Sequence, residues 1–149
     1  VAKEIHDKKL AFSKKASDDI EIITNAVTEI LENTVNVLVK EDIEKATTVE
    51  PLEQIIDRLK RKIKNGHITR LREGQCTMEL GFILSDLLTN YARISDHCSN
   101  IAVAIIETSH NSFGTHEYLN MVKSTHDEEF EKEFASFNSR FFITTSKGQ

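Results

Sequence analysis

The sequence predicts an all-α protein: an up-down antiparallel bundle of three long helices followed by C-terminal helices. Apolar residues recur at alternating steps of three and four over most of the chain. Residues that interrupt helices are scarce, with one Pro and five Gly in 149 positions. Short polar connections around residues 42–48, 66–75 and 110–115 give consecutive helices places to turn back on one another. A single long coiled coil is the rival architecture, and these turning points rank it second.

The first helix carries Ala16, Ile20, Ile23, Val27, Ile30, Thr34, Val37 and Leu38 on one stripe and is predicted from about residue 8 to about residue 40. The second begins near Thr48 and repeats the stripe with Val49, Leu52, Ile56, Leu59 and Ile63. Pro51 falls early enough for a first helical turn, where a missing N–H costs nothing. Asn65-Gly66 could end this helix, while Ile68 and Leu71 could carry it to Gly74 as a left-handed cap; the later stop is favoured, with an irregularity at Gly66. The third helix has the cleanest pattern, Leu80, Leu84, Leu87, Tyr91, Ile94, Cys98, Ile101 and Ile105, which predicts a core stripe over seven turns. A short segment, His116 to Lys123, precedes a last helix. Thr125 and Glu128 have the spacing of a capping box, and Phe130, Phe134, Phe137 and Phe141 fill one end of the core.

At 149 residues the chain is predicted to form one domain, residues 1–149, able to bury a core without disulfide or metal staples. The net charge of −5 leaves no basic field for nucleic acid. Cys76 and Cys98 lie within helical pattern and read as reduced thiols. Apolar runs such as Ile101–Ile106 are far shorter than the roughly 18 residues of a membrane span, so no direct insertion by this segment is expected. The chain begins at Val1 rather than Met and shows no signal peptide, and it reads as an excised piece of a longer protein. Without a phosphate-cradling glycine loop, a zinc-type cysteine cluster or a nucleophile signature, no enzyme is expected.

Outside the apolar stripe of the third helix, Asp86, Arg93, Asp96 and Asn100 share a polar stripe. Glu53 and Asp57 on the second helix are four apart and project as a pair of like charges, which raises the question of a metal. Spacing alone favours solvated surface charge, with Arg58, Arg61 or Arg93 as counter-charges. His97 reads as a solvated or interface residue and Cys98 as a packed small side chain; the other histidines carry no assigned role.

The segment Asn90-Tyr-Ala-Arg-Ile-Ser-Asp-His-Cys-Ser-Asn-Ile-Ala102 resembles the PhoU helix pattern Glu-Arg-Ile-Gly-Asp followed by Asn-Ile-Ala. His67-Ile-Thr-Arg-Leu-Arg-Glu-Gly-Gln-Cys76, Leu84-Ser-Asp-Leu-Leu88 and His116-Glu-Tyr-Leu119 are similar to the PhoU-like domain fused behind the membrane part of bacterial sodium/phosphate cotransporters. The resemblance covers most of the chain and is weakest over residues 1–45. It implies a regulatory domain on the cytoplasmic side of the membrane, involved in phosphate uptake or its regulation. The implied partners are the membrane transporter domain of the same polypeptide and, as a homodimer, a second copy. It also implies iron or another metal ion on the bundle surface, held by motifs in which an acidic residue and an Asp stand four apart. Glu53 and Asp57 match the first motif. Ala92 stands where the second wants an acid before Asp96, which leaves Glu53, Asp57, Asp96 and Asn100 as the implied ligand set. The alternative function is a free-standing metal-binding adaptor in phosphate signalling. A helical di-metal enzyme would need inward carboxylates and Glu-x-x-His pairs, and neither is present.

Overall fold

A computed structural model describes residues 11–40, 42–109 and 128–144. Its elements are α1 (Lys14–Lys40), α2 (Ile43–Ala46), α3 (Val49–Arg72), α4 (Met78–Ser109) and α5 (Glu128–Arg140), with no strand among the described residues. The all-α bundle is therefore as predicted. Residues 8–10, the segment 116–123 and the capping residue Thr125 lie outside the described residues.

Local chemistry sets the ends. The first helix starts at Lys14 rather than near residue 8, because Ser13 caps it: its Oγ accepts from the Ala16 N–H at 3.3 Å, and its carbonyl accepts the first helical bond from Ser17. Asp42 does the same for the single turn of α2, its Oδ1 accepting from the Lys45 N–H at 3.1 Å. Pro51 is the third residue of α3, within the first turn. That helix runs unbroken through Gly66 to Arg72 and closes on Gly74, which adopts φ 69°. The Gln75 N–H bonds the Arg70 carbonyl and the Gly74 N–H the Leu71 carbonyl, the paired bonds of a Schellman cap. Thr77 Oγ1 then accepts from the Leu80 N–H at 3.3 Å and starts α4.

The pairing of ends gives the topology. Arg70, late in α3, faces Asp19, early in α1, and Glu50, early in α3, faces Ser99, late in α4. Helix α3 is thus antiparallel to both, and α1 and α4 run parallel, tied by Thr24 Oγ1 and Tyr91 Oη at 2.9 Å. Helix α5 packs along α3, with Asn138 on Arg58, and reaches α1 through Arg140 on Glu29.

The core joins Ile23, Val27, Ile30 and Val37 of α1, Leu52, Ile55, Ile56, Leu59 and Ile63 of α3, Leu84, Leu88, Cys98, Ala102 and Ile106 of α4, and Phe137 and Phe141 of α5. Full burial of each large aliphatic among them is worth about 1.5–3 kcal/mol. Cys98 is the packed small side chain that the stripe predicts.

Several positions depart from the predicted stripes. Leu38 and Ile101 are exposed, and Leu87, Tyr91, Ile94 and Ile105 are only half-buried. The buried face of α4 instead runs through Leu84, Leu88, Ala92, Ser95, Ser99, Ala102 and Ile106. Small residues let α4 approach its neighbours closely, so the large residues that dominate the pattern end up on its flank.

Candidate functional site

The polar face of interest is the seam between α3 and α4. Its register is set by a buried bond in which Ser99 Oγ donates to Glu50 Oε2 at 2.5 Å. Because the helices are antiparallel with equal rise per residue, each step along α3 matches one step back along α4. Glu53 is therefore level with Asp96 and Asp57 with Ala92, so the two acidic motifs inferred from sequence lie at matching heights.

Glu53 and Asp57 are half-buried on α3, whereas Asp96 and Asn100 are exposed on α4. Asp57 accepts from Lys60 Nζ at 3.4 Å, an exposed pair of small energetic weight. Ala92, where the second motif wants an acid, is a buried methyl packed into the helix interface. A carboxylate there would lose close helix packing and need a charge partner. Among the described residues no three His, Cys, Asp or Glu side chains lie together as a metal site would require. Glu53, Asp57, Asp96 and Asn100 stand at neighbouring heights on the two helices, and among the described residues Glu53, Asp57 and Asp96 are not part of such a group.

A second polar cluster occupies the opposite end of the bundle, where sequence reasoning assigned nothing. Asp19 is 2% exposed, bonded to Lys15 Nζ at 2.9 Å, with Arg70 Nη1 at 3.7 Å. Arg70 Nε and Nη2 are buried and find no hydrogen-bond partner among the described residues. One turn earlier, His67 is buried under the connection to α4, its Nδ1 3.6 Å from Cys76 Sγ. Burial, and then the Arg70 guanidinium, hold its pKa below the usual 6.5. Gly81 makes room for the ring, since a Cβ there would stand 2.6 Å from His67 Nε2. A signal existed: Ile56, Leu59, Ile63, His67 and Arg70 continue one four-three stripe, and Asp19 falls between the stripe positions Ala16 and Ile23.

No described helix is long and apolar enough to cross a membrane. The profile of the PhoU domain matches residues 20–105, which takes in most of α1 and nearly all of α3 and α4. The chain is similar to the "Phosphate-specific transport system accessory protein PhoU homolog 1" of Thermotoga maritima, at 28% identity over 98 residues. That alignment covers 64% of this chain and 41% of the relative, so the chain spans well under half the length of that protein. No solved structure gives a significant match. The all-helical bundle agrees with the profile match, and that match over residues 20–105 shows that the chain belongs to the PhoU domain family.

Proposed function

We propose that this chain is a regulatory domain of a sodium-dependent phosphate transporter, on the cytoplasmic side of the membrane. In this reading it acts through helix-face contacts with the membrane part of the same polypeptide and performs no chemistry. The observation that carries a phosphate-transport role is the PhoU match over residues 20–105. The cotransporter context rests on the resemblance of residues 67–76, 84–88 and 116–119 to the fused version of the domain. The test is made in the host cell. The gene is expected to encode several apolar spans before Val1, and deleting the domain is expected to change sodium-driven uptake of labelled phosphate. A gene in which Val1 directly follows the initiator Met, or uptake that ignores the deletion, would sink this reading.

The alternative is a free-standing adaptor in which Glu53, Asp57, Asp96 and Asn100 take up iron or a divalent ion. It ranks second because Ala92 removes one oxygen ligand and such ions usually need several. Metal analysis of chelator-free protein separates the two. The favoured reading expects less than one ion per chain and no change in Asp57→Asn, whereas a full complement lost on that substitution would reverse the ranking.

A further inference from the structure

Charge is unevenly shared along the bundle. The contacts that set the register also divide it at mid-height, where Thr24 meets Tyr91 and Arg58 meets Asn138. One end takes in α1 up to Thr24, α3 from Arg58 onward, the turn, α4 up to Tyr91 and residues 138–144. Its described residues hold ten Lys and Arg against six Asp and Glu, a net +4. Those of the opposite end hold four against thirteen, a net −9.

The positive excess comes from α3, where residues 58–72 contain seven Lys and Arg and no Asp or Glu. Arg61, Lys64, Ile68 and Arg72 follow one another by steps of three, four and four, opposite the buried stripe of Leu59, Ile63 and Arg70, and all four are exposed. Ile68, 46% exposed, therefore stands inside a basic stripe. The start of α4 adds apolar surface beside it. His67 lies against Gly81, and the Glu50–Ser99 register puts Leu71 level with Met78. Turning outward from Gly81, α4 presents Met78, 61% exposed, and Phe82, 69% exposed, on the flank next to Lys64 and Ile68. The acids of this region, Glu79 and Asp86, lie further round α4, and Glu73 follows in the turn.

Basic side chains around large exposed apolar ones match an anionic lipid surface: the cations meet headgroup charge, and the apolar tips enter the boundary with the acyl chains. A nucleic-acid backbone would engage the cations and leave Ile68 and Met78 in water. The same negative surface repels the −9 end, so the field that draws one end in also turns the bundle end-on. No described helix is long and apolar enough to span the bilayer, so the contact is peripheral. We propose that this end of the bundle docks on an anionic lipid surface, with Arg61, Lys64 and Arg72 on headgroups and Ile68, Met78 and Phe82 at the acyl boundary. The inference rests on charge and exposure and stands without the transport reading, which phosphate uptake tests separately.

Co-sedimentation of the 149-residue chain with vesicles tests it. The wild type is expected to pellet with vesicles of phosphatidylcholine mixed with phosphatidylglycerol at low salt, to be released as salt rises, and to ignore vesicles of phosphatidylcholine alone. Each Lys or Arg near such a surface strengthens partition about fivefold. Joint Arg61→Glu and Arg72→Glu is therefore expected to weaken it at least about twenty-five-fold, whereas Lys132→Glu at the acidic end leaves it unchanged. Lys64→Glu repeats the measurement should the double variant fail to fold. The chain has no Trp, so Phe82→Trp supplies a single reporter whose emission is expected to shift to the blue on anionic vesicles. A wild type that stays in the supernatant, binds neutral vesicles equally or loses as much through Lys132→Glu overturns the proposal, as does a reporter that remains in water. Binding of duplex DNA or RNA in place of vesicles overturns it likewise and gives the basic end to nucleic acid.

Discussion

At the scale of single residues, the most constrained position is His67. Its ring is buried between Gly81, whose missing side chain admits it, and Cys76, and it shares its helix face with Arg70. Both burial and Arg70 disfavour the imidazolium, so the folded pKa lies below 6.5. The unfolded chain takes up the proton as pH falls through 6.5, and the folded chain only further down. The unfolded state then binds more protons, and stability falls as pH drops below 6.5 while this contribution stays constant above it. Urea unfolding from neutral to mildly acidic pH should show that decline in the wild type and a shallower one in His67→Gln. Identical slopes would place the ring in water. The α3 stripe puts His67 on the buried face, but the glycine that admits its ring stands fourteen positions later on another helix, beyond the reach of a local pattern.

Among the elements, α3 and α4 differ in how well their pattern is read. The stripe of α3 is buried throughout, and its end is where Gly74 allows the left-handed turn. In α4 the large apolar residues mark a flank, since Ala92, Ser95, Ser99 and Ala102 take the centre of the interface. This rotation changes an expectation drawn from the pattern. Ile94→Asp, which the stripe predicts to unfold the chain, is half-buried and should cost about 1–2 kcal/mol, whereas Ile56→Asp at full burial should cost about 4 kcal/mol or more. Chemical denaturation of both variants checks the assignment. Equal losses would mean that Ile94 is core after all.

For the whole molecule, the long-range polar contacts join helices end to end. Asp19 secures the start of α1 to the end of α3 through a buried guanidinium that has hydrogen-bond capacity to spare. Removing the carboxylate in Asp19→Ala leaves Arg70 buried without its counter-charge, with an expected loss of about 3 kcal/mol. A thermal melt of that variant overlapping the wild type would show that Arg70 escapes to solvent. The Glu50–Ser99 bond fixes the α3–α4 register that brings Asp57 level with Ala92. The sequence by itself determined the helical class, the turning points, the α3 stripe and cap, and the family resemblance, because each depends on residues within a few turns of one another. It also showed that Ala92 departs from the acidic motif. Only the tertiary structure decided which flank of α4 is buried, that Asp19 and Arg70 meet inside, that Gly81 covers His67, and which helix α5 packs against. Those outcomes depend on how closely helices approach, and that distance is set jointly by small residues on one helix and the side chains of another.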